Sequence, residues 1–407
     1  MKTLFIGYVV SREMAENMPT VSNAGNNFQL GFLEAFSKVN DLEIVTILPK
    51  ATWPDEEQLF VPEEKITLFD KDSTRTLRYI NIKVIKELTI LCSVRREIQR
   101  FCKKNKGCEI QIITYNGNGP VSIPALEQRK KYGYRYTCLV VDPPLYQGTM
   151  KRNGFIWKCL YSSLAASYMR AAQKCDNCIV LNKFFAENNL KRSDYYVMDC
   201  GVSEKYISLC REEEIGAVYW KKDENIHLVF TGILHEHSGI LHFISLFQEL
   251  KPNDMKLHIF GKGIYEEQIK EISKRNASIC FHGFLSNKEV LKVQSQADFL
   301  ICPNTIDHPI NKVAFPSKIQ EYMLSGVPVI ATAVNGLGKE YHPYLYLYDD
   351  TVQGLEAVFE KIKKDGYEKS RGKAEKAISF IMEEKTWDVQ VRRLWSYLLK
   401  RVKCNES

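Results

Sequence analysis

A lysine and a glutamate one helical turn apart, Lys318 and Glu321, stand in the segment Phe315-Pro-Ser-Lys-Ile-Gln-Glu-Tyr-Met-Leu-Ser-Gly-Val-Pro-Val-Ile-Ala-Thr332. The segment predicts a helix followed by a buried strand. Ser317 is a good N-cap, and Gln320 three residues later completes a capping-box spacing. Gly326 ends the helix, and residues 327–331 start the strand. Ile319, Tyr322 and Met323 share the inward helix face. An open helix N-terminus with a lysine beside it suits a diphosphate. A carboxylate one turn further in suits the two hydroxyl donors of a ribose. The same residues also describe a capped surface helix with an ordinary ion pair, so the elements around them must decide.

A chain of 407 residues predicts two domains, and 45% hydrophobic with 26% charged residues predicts globular ones. Apolar runs at 4–10, 43–48, 110–114, 136–141 and 177–181 read as strands, with helical patterns between most of them. A second series at 227–231, 256–260, 278–282, 299–302 and 327–331 repeats the alternation. The expected fold is α/β, with two doubly wound Rossmann-like domains and ligands bound at the carboxyl ends of their strands. Gly232, Gly261, Gly283 and Pro303 follow strands of the second series, and Asn116 and Asp142 follow strands of the first. Gly25 lies in a polar loop, 22–27, ahead of a helix starting at Phe28. Expected boundaries are 1–205 for an acceptor-binding, membrane-facing domain and 206–385 for a donor-binding domain. A helix over 386–407, with Trp387, Val391, Leu394, Trp395 and Leu398 at helical spacing, is expected to pack back toward the first domain.

The twelve cysteines are scattered, many within apolar runs, which fits reduced thiols in a cytosolic protein and not a disulfide framework. Cys175 and Cys178 form a CxxC followed by a strand-like run, with no second pair to complete a zinc site. His235 and His237 offer two metal ligands without a third at a familiar spacing, so no metal is expected. Residues 4–10 have the length of a strand rather than an export segment, and no run of 18 apolar residues exists.

In order, Phe230-Thr-Gly-Ile-Leu234, Leu257-His-Ile-Phe-Gly-Lys-Gly263, Ile279-Cys-Phe-His-Gly-Phe284, Ala297-Asp-Phe-Leu-Ile-Cys-Pro303 and the Phe315 segment resemble the retaining glycosyltransferases of the two-Rossmann (GT-B) class, family 4. The Phe-Pro-Ser-Lys-x-x-Glu signature resembles a subgroup of bacterial surface-polysaccharide assembly. The resemblance implies two domains facing across a cleft and transfer of a sugar from a nucleotide-diphosphate donor to a hydroxyl acceptor. It implies donor binding by Gly232, Gly261, Lys262, Gly283, Phe284, Pro316, Ser317, Lys318 and Glu321. Gly25, Asn26 and Asn116 would lie on the acceptor side, and Asp142 and Lys318 would be catalytic. Cationic side chains and a helix start would stabilise the leaving group without a metal, and no cofactor beyond the nucleotide-sugar substrate is implied. The chain departs from the pattern where many members have a diphosphate-binding Arg/Lys pair, since Ile233 and Ser238 stand there. Val313 occupies the place of a sugar-contacting carboxylate, with Asp307, His308 and Lys312 close by. The departures leave a second reading open, a non-catalytic GT-B partner of an active transferase.

The net charge of +7 is unevenly placed, with 29 basic against 22 acidic residues in 1–210 and equal numbers thereafter. From Arg75 to Lys106, basic residues interleave with apolar ones, a pattern suited to an anionic membrane surface. Lys151 to Tyr161 adds Phe155, Ile156 and Trp157 beside more positive charge. A core helix with a solvated basic face gives the same pattern. Nucleic acid is a poorer partner, because no recognition motif accompanies the charge. The expected setting is cytoplasmic, peripheral at the inner face of the cell membrane, with a lipid-linked or growing glycan as acceptor.

Overall fold

The apolar runs become parallel strands because both faces are covered by helices, and the polar, glycine-rich connections take the turns. The structure, a computed structural model, describes residues 1–69, 71–141, 155–211, 220 and 223–404. It divides into two units, Met1–Gly201 with Trp387–Ser407, and Val202–Thr386.

In the first unit the strands are β1 (Lys2–Gly7), β2 (Asp41–Thr46), β3 (Phe60–Val61), β4 (Lys65–Leu68), β5 (Lys71–Thr76), β6 (Tyr79–Ile80), β7 (Ile110–Tyr115), β8 (Arg135–Val140), β9 (Asn177–Val180) and β10 (Tyr195–Val197). Eight form a sheet ordered β10-β9-β8-β7-β1-β2-β5-β4, parallel except where β4 runs against β5. β3 and β6 make a separate antiparallel ribbon. Helices α1 (Arg12–Glu16), α2 (Asn23–Val39), α3 (Ile85–Lys104), α4 (Gly119–Tyr132) and α5 (Phe155–Lys174) connect them. Strand order reverses between β1 and β7, which makes their carboxyl ends the crevice of this sheet.

The second unit contains α6 (Glu204–Arg211), β11 (Ile226–Ile233), α7 (Ile240–Leu250), β12 (Met255–Lys262), α8 (Glu266–Arg275), β13 (Ile279–Gly283), α9 (Asn287–Gln296), β14 (Phe299–Cys302), α10 (Pro309–Val313), α11 (Lys318–Leu324), β15 (Val329–Thr332), β16 (Leu345–Tyr348) and α12 (Val352–Glu384), which breaks at Gly366. Its parallel sheet runs β13-β12-β11-β14-β15-β16, so its order reverses between β11 and β14. On one face Leu228, Phe230, Leu257 and Ile259 join the apolar core under α7 and α8.

The other face carries a polar chain. His227 Nδ1 lies 2.9 Å from His258 Nε2, and His258 Nδ1 lies 2.9 Å from His282 Nε2. Trp220 stacks on His258 at 4.3 Å, and Phe260 on His282 at 4.4 Å.

The chain returns to the first unit with α13 (Trp387–Cys404). Trp387 meets Phe28 edge-on at 4.9 Å, and Trp395 meets Phe36 at 5.6 Å. Glycine is required beneath the indole: a Cβ on Gly31 or Gly201 would lie 2.1 or 2.4 Å from the Trp387 ring.

Part of the basic stretch meets acids of the same unit. Arg75 bonds Glu43 at 3.1 Å and Glu97 at 2.7 Å, Arg100 bonds both carboxylates, and Lys104 bonds Glu43 at 3.0 Å. Burial pushes the Glu43 carboxyl up, but its bonds to Arg100 and Lys104 outweigh this and hold it below the usual range. Three residues of the predicted positive stretch are therefore paired with acids. Among the described residues no helix is long and apolar enough to cross a membrane.

Candidate functional site

The Phe315 segment folds as a turn into α11, then Gly326 at φ 74° and the buried β15. Ile319, Tyr322 and Met323 are buried, as their spacing predicts. The predicted capping box does not form. Ser317 itself has helical angles (φ −52°, ψ −27°), so its hydroxyl makes no cap bond, and Gln320 donates instead to the Tyr341 hydroxyl at 2.7 Å.

The Lys318 ammonium reaches across the sheet reversal to the carbonyl of Thr231, near the end of β11. Tyr322 donates to the same carbonyl at 2.9 Å and accepts from the Thr231 N–H at 3.0 Å. Gln294 donates to Thr231 Oγ1 at 3.1 Å. Thr231, Tyr322 and Gln294 were not legible as site residues, although Tyr322 stands four positions after Lys318, one turn along the same helix. They fix the strand end on which the lysine rests. Burial lowers the Lys318 pKa, with Glu321 and the Cys302 sulfur acting against it. Burial raises the Glu321 carboxyl, and Lys318 opposes that shift. Each group has given up water without full compensation, so an anion at Lys318 and hydroxyl donors at Glu321 would each be favoured.

Gly232 and Gly261 pair across β11 and β12. A Cβ on Gly232 would lie 3.4 Å from Lys318 Nζ, and one on Gly261, at φ 154°, would lie 1.8 Å from the Gly232 carbonyl oxygen. Gly261→Ala should therefore destabilise by about 3 kcal/mol, combining a clash with a backbone conformation disfavoured for alanine. Thermal denaturation should show a loss of roughly 6–12 °C in Tm. Lys262 lies 4.4 Å over the exposed Phe284 ring, beyond Gly283 at φ 81°. Ile233, at 62% exposure, adds an apolar surface at the same strand ends. Pro316 is half-buried, and the Pro303 carbonyl packs where a Cβ on Gly239 would fall.

The nearby imidazoles do not replace the absent cations. His237 is held below the ordinary range by burial, then by His235 and His308, and is neutral at pH 7. His308 caps α10, Lys312 pairs with Asp307 at 3.5 Å, and Val313 is buried in the core. Ser238 donates to the His235 carbonyl at 2.6 Å. Among the described residues no group of three ligands is arranged for a metal ion.

The first-unit candidates separate. Residues 23–27 are helical, not a loop: α2 starts at Asn23, and Ser22 Oγ accepts from the Gly25 N–H at 3.3 Å. Gly25 borders the Tyr115 hydroxyl, 3.0 Å from where a Cβ would stand. Asn26 is buried and spends both amide atoms on the Val10 backbone, at 2.9 and 3.0 Å. Asn116 Oδ1 accepts from the Val141 N–H at 2.9 Å and the Tyr168 hydroxyl at 3.1 Å. These amides brace the loops after β1 and β7. Asp142 lies outside the described residues. Tyr8, whose hydroxyl bonds Asn118, and the half-buried Glu87 acting on it are polar groups at the β1 end that the sequence reading passed over.

The whole chain has the GT-B fold of two Rossmann-like units, and residues 225–362 match the family model of glycosyl transferases group 1. No curated protein is a significant sequence relative. Sucrose-phosphate synthase from Thermosynechococcus elongatus is 14% identical, aligned over 100% of both chains with a TM-score of 0.64. HepE from Anabaena in complex with UDP is 14% identical over 98% of this chain and 100% of its own, with a TM-score of 0.64. The catalytic domain of starch synthase IV from Arabidopsis thaliana, bound to ADP and acarbose, is 10% identical over 99% of each chain, TM-score 0.61.

Proposed function

We propose that the protein transfers a sugar from a nucleotide-diphosphate donor to a hydroxyl acceptor. The observation that carries this is the Lys318 ammonium held on the Thr231 carbonyl at the sheet reversal, beside Gly232, with Glu321 one turn along α11. A diphosphate there meets a cation already drawn out of water, and Gly232 and Gly261 leave room for it at the strand ends. Glu321 receives the ribose hydroxyls. Pro316 and Ser317 shape the approach, and the Ser317 hydroxyl, unused as a cap, is available to a phosphate oxygen. Lys262, Gly283 and Phe284 line the side where a flat base would lie. Lys318 stabilises charge on the departing diphosphate in place of a metal. Retention of configuration, Asp142 as an active-site group, a lipid-linked or growing surface glycan as acceptor, and attachment to the inner face of a cell membrane complete the reading. They rest on the family resemblance and on the composition of the first unit. Gly25, Asn26 and Asn116 are the acceptor-side candidates there.

Nucleoside diphosphate should raise Tm, and Glu321→Ala should reduce the rise by weakening binding about tenfold, the loss of one or two hydrogen bonds to a charged group. Turnover of one donor from a panel of UDP-, GDP- and ADP-sugars, with lipid-linked acceptor present, would establish the reaction. The exposed Ile233 and self-bonded Ser238, where cations are common, favour a second reading as a non-catalytic partner. Nucleotide binding with no turnover of any donor would select it.

A further inference from the structure

The exposed apolar residues of this chain are not scattered. Among the described residues, seven of the thirteen large hydrophobics found exposed lie between positions 53 and 88. The β3–β6 ribbon explains part of this. Its register pairs Val61 with Tyr79 and Phe60 with Ile80. Val61 and Tyr79 point inward and are buried, whereas Phe60 is 53% and Ile80 38% exposed on the outward face. A surface ribbon ordinarily alternates apolar-in with polar-out, and here both faces are apolar.

Backbone bonds extend the outward face. The Trp53 N–H donates to the Asn81 carbonyl, whose own N–H donates to Leu59, placing exposed Trp53 and Leu59 beside the ribbon. The Ile80 N–H donates to Thr89 Oγ1 of α3, which holds the start of that helix against the same edge. There Val84, Ile85 and Leu88 are exposed. The outward stripe of α3 continues through Cys92 to exposed Arg96 and Lys103, while its two acids, Glu87 and Glu97, turn inward. Asp55 and Glu57 lie exposed beyond Trp53 and limit the positive field on that side.

We propose that this face docks on an anionic bilayer, its apolar residues entering the headgroup–acyl boundary while Arg96 and Lys103 meet lipid phosphates. An apolar foot followed by charges of one sign along a single helix stripe is the arrangement of an interfacial helix. The inference rests on the membrane partner proposed above and changes how it is held. The contact is led by the apolar foot, because Arg75, Arg100 and Lys104 of the basic stretch are paired with Glu43 and Glu97.

The test is sedimentation of the full chain with phosphatidylcholine vesicles and with vesicles of 70:30 phosphatidylcholine to phosphatidylglycerol. Wild type should co-sediment with the anionic vesicles, with a blue shift of tryptophan emission. Phe60→Ser/Leu88→Ser, at exposed sites and with Tm unchanged, should bind at least tenfold more weakly. Arg96→Glu/Lys103→Glu should lose the preference for anionic vesicles. If the serine variant binds like wild type, this face is not the contact and the membrane partner stands on another surface. If wild type binds neither vesicle while nucleoside diphosphate still raises Tm, the membrane partner falls and the donor site stands. Self-association that the serine variant abolishes, without vesicle binding, would make the face an interface between copies and overturn the proposal.

Discussion

Replacing Lys318 by methionine should give a folded protein whose transfer rate is lower by two to three orders of magnitude. The stem of the side chain is kept and only the ammonium is lost. The expected size is that of removing one preorganised group from a developing negative charge in a site withdrawn from water. Stability should not fall with activity. Lys318 is lowered in pKa by burial, so its charge is a cost to the unliganded fold, and methionine removes that cost. Stability and activity should thus move apart, which a merely structural lysine would not produce. Arginine should not rescue, because the Lys318 ammonium rests as a point donor on the Thr231 carbonyl, and a planar fork on a longer stem does not reproduce that placement. Initial rates and Tm measured on the same preparations decide it. A parallel loss of both would make Lys318 a brace for β11.

Acid should destabilise the protein through its histidine chain. Each imidazole bond in His227–His258–His282 needs one N–H and one lone pair, so the neutral chain runs in one consistent sense. Burial first, then His282, His227 and Lys256, hold His258 down to about 3, against a slight opposing pull from Asp223. His227 is also lowered by burial, although Asp298 and Asp223 favour its charge, and burial lowers His282. With the folded values below the unfolded value of about 6.5, the unfolded state binds more protons at acid pH. The contribution is fully present above about 6.5 and is lost progressively as pH falls from there toward 3. At pH 5, His258 alone would lose about 2 kcal/mol, or roughly 4–8 °C in Tm for a unit of this size. Other carboxylates also titrate in this range, so the decisive quantity is the difference from His258→Gln. That variant should show a flatter Tm profile between pH 7.5 and 5, with a smaller acid change in Trp220 emission. Identical profiles would remove the chain from the account.

Both sheets were readable because their central strands are covered on both sides and appear as uninterrupted apolar runs, such as Phe299–Cys302. The strands passed over lack a clear apolar run or lie close behind a turn. β5, Lys-Asp-Ser-Thr-Arg-Thr, has no apolar run, and β16 is four residues following a turn that contains Pro343. The start of α2 was lost because Ser22-Asn-Ala-Gly-Asn-Asn27 has loop composition, yet one serine cap starts the helix. Within the site, Lys318 and Glu321 were legible because charge next to a helix start has a chemical meaning in sequence. Thr231 and Gln294 were not, since Thr231 meets Tyr322 and Gln294 only when separate strands and helices are brought together. The backbone bonds of Asn26 and Asn116 were hidden for a related reason. An asparagine in a loop shows that an amide is available, but not whether neighbouring backbone will occupy it.

The return of α13 gives the chain an unusual order of assembly during synthesis. Phe28 and Phe36 emerge from the ribosome early, while the tryptophans that cover them are more than 350 residues later. The second unit lies wholly within that interval. Domains made on the ribosome generally complete from the amino terminus onward. Here the later unit can finish first, while the earlier one waits for α13. A message cut just after Thr386 would release a nascent chain with a complete second unit and an uncovered aromatic surface, the kind of species chaperones must hold.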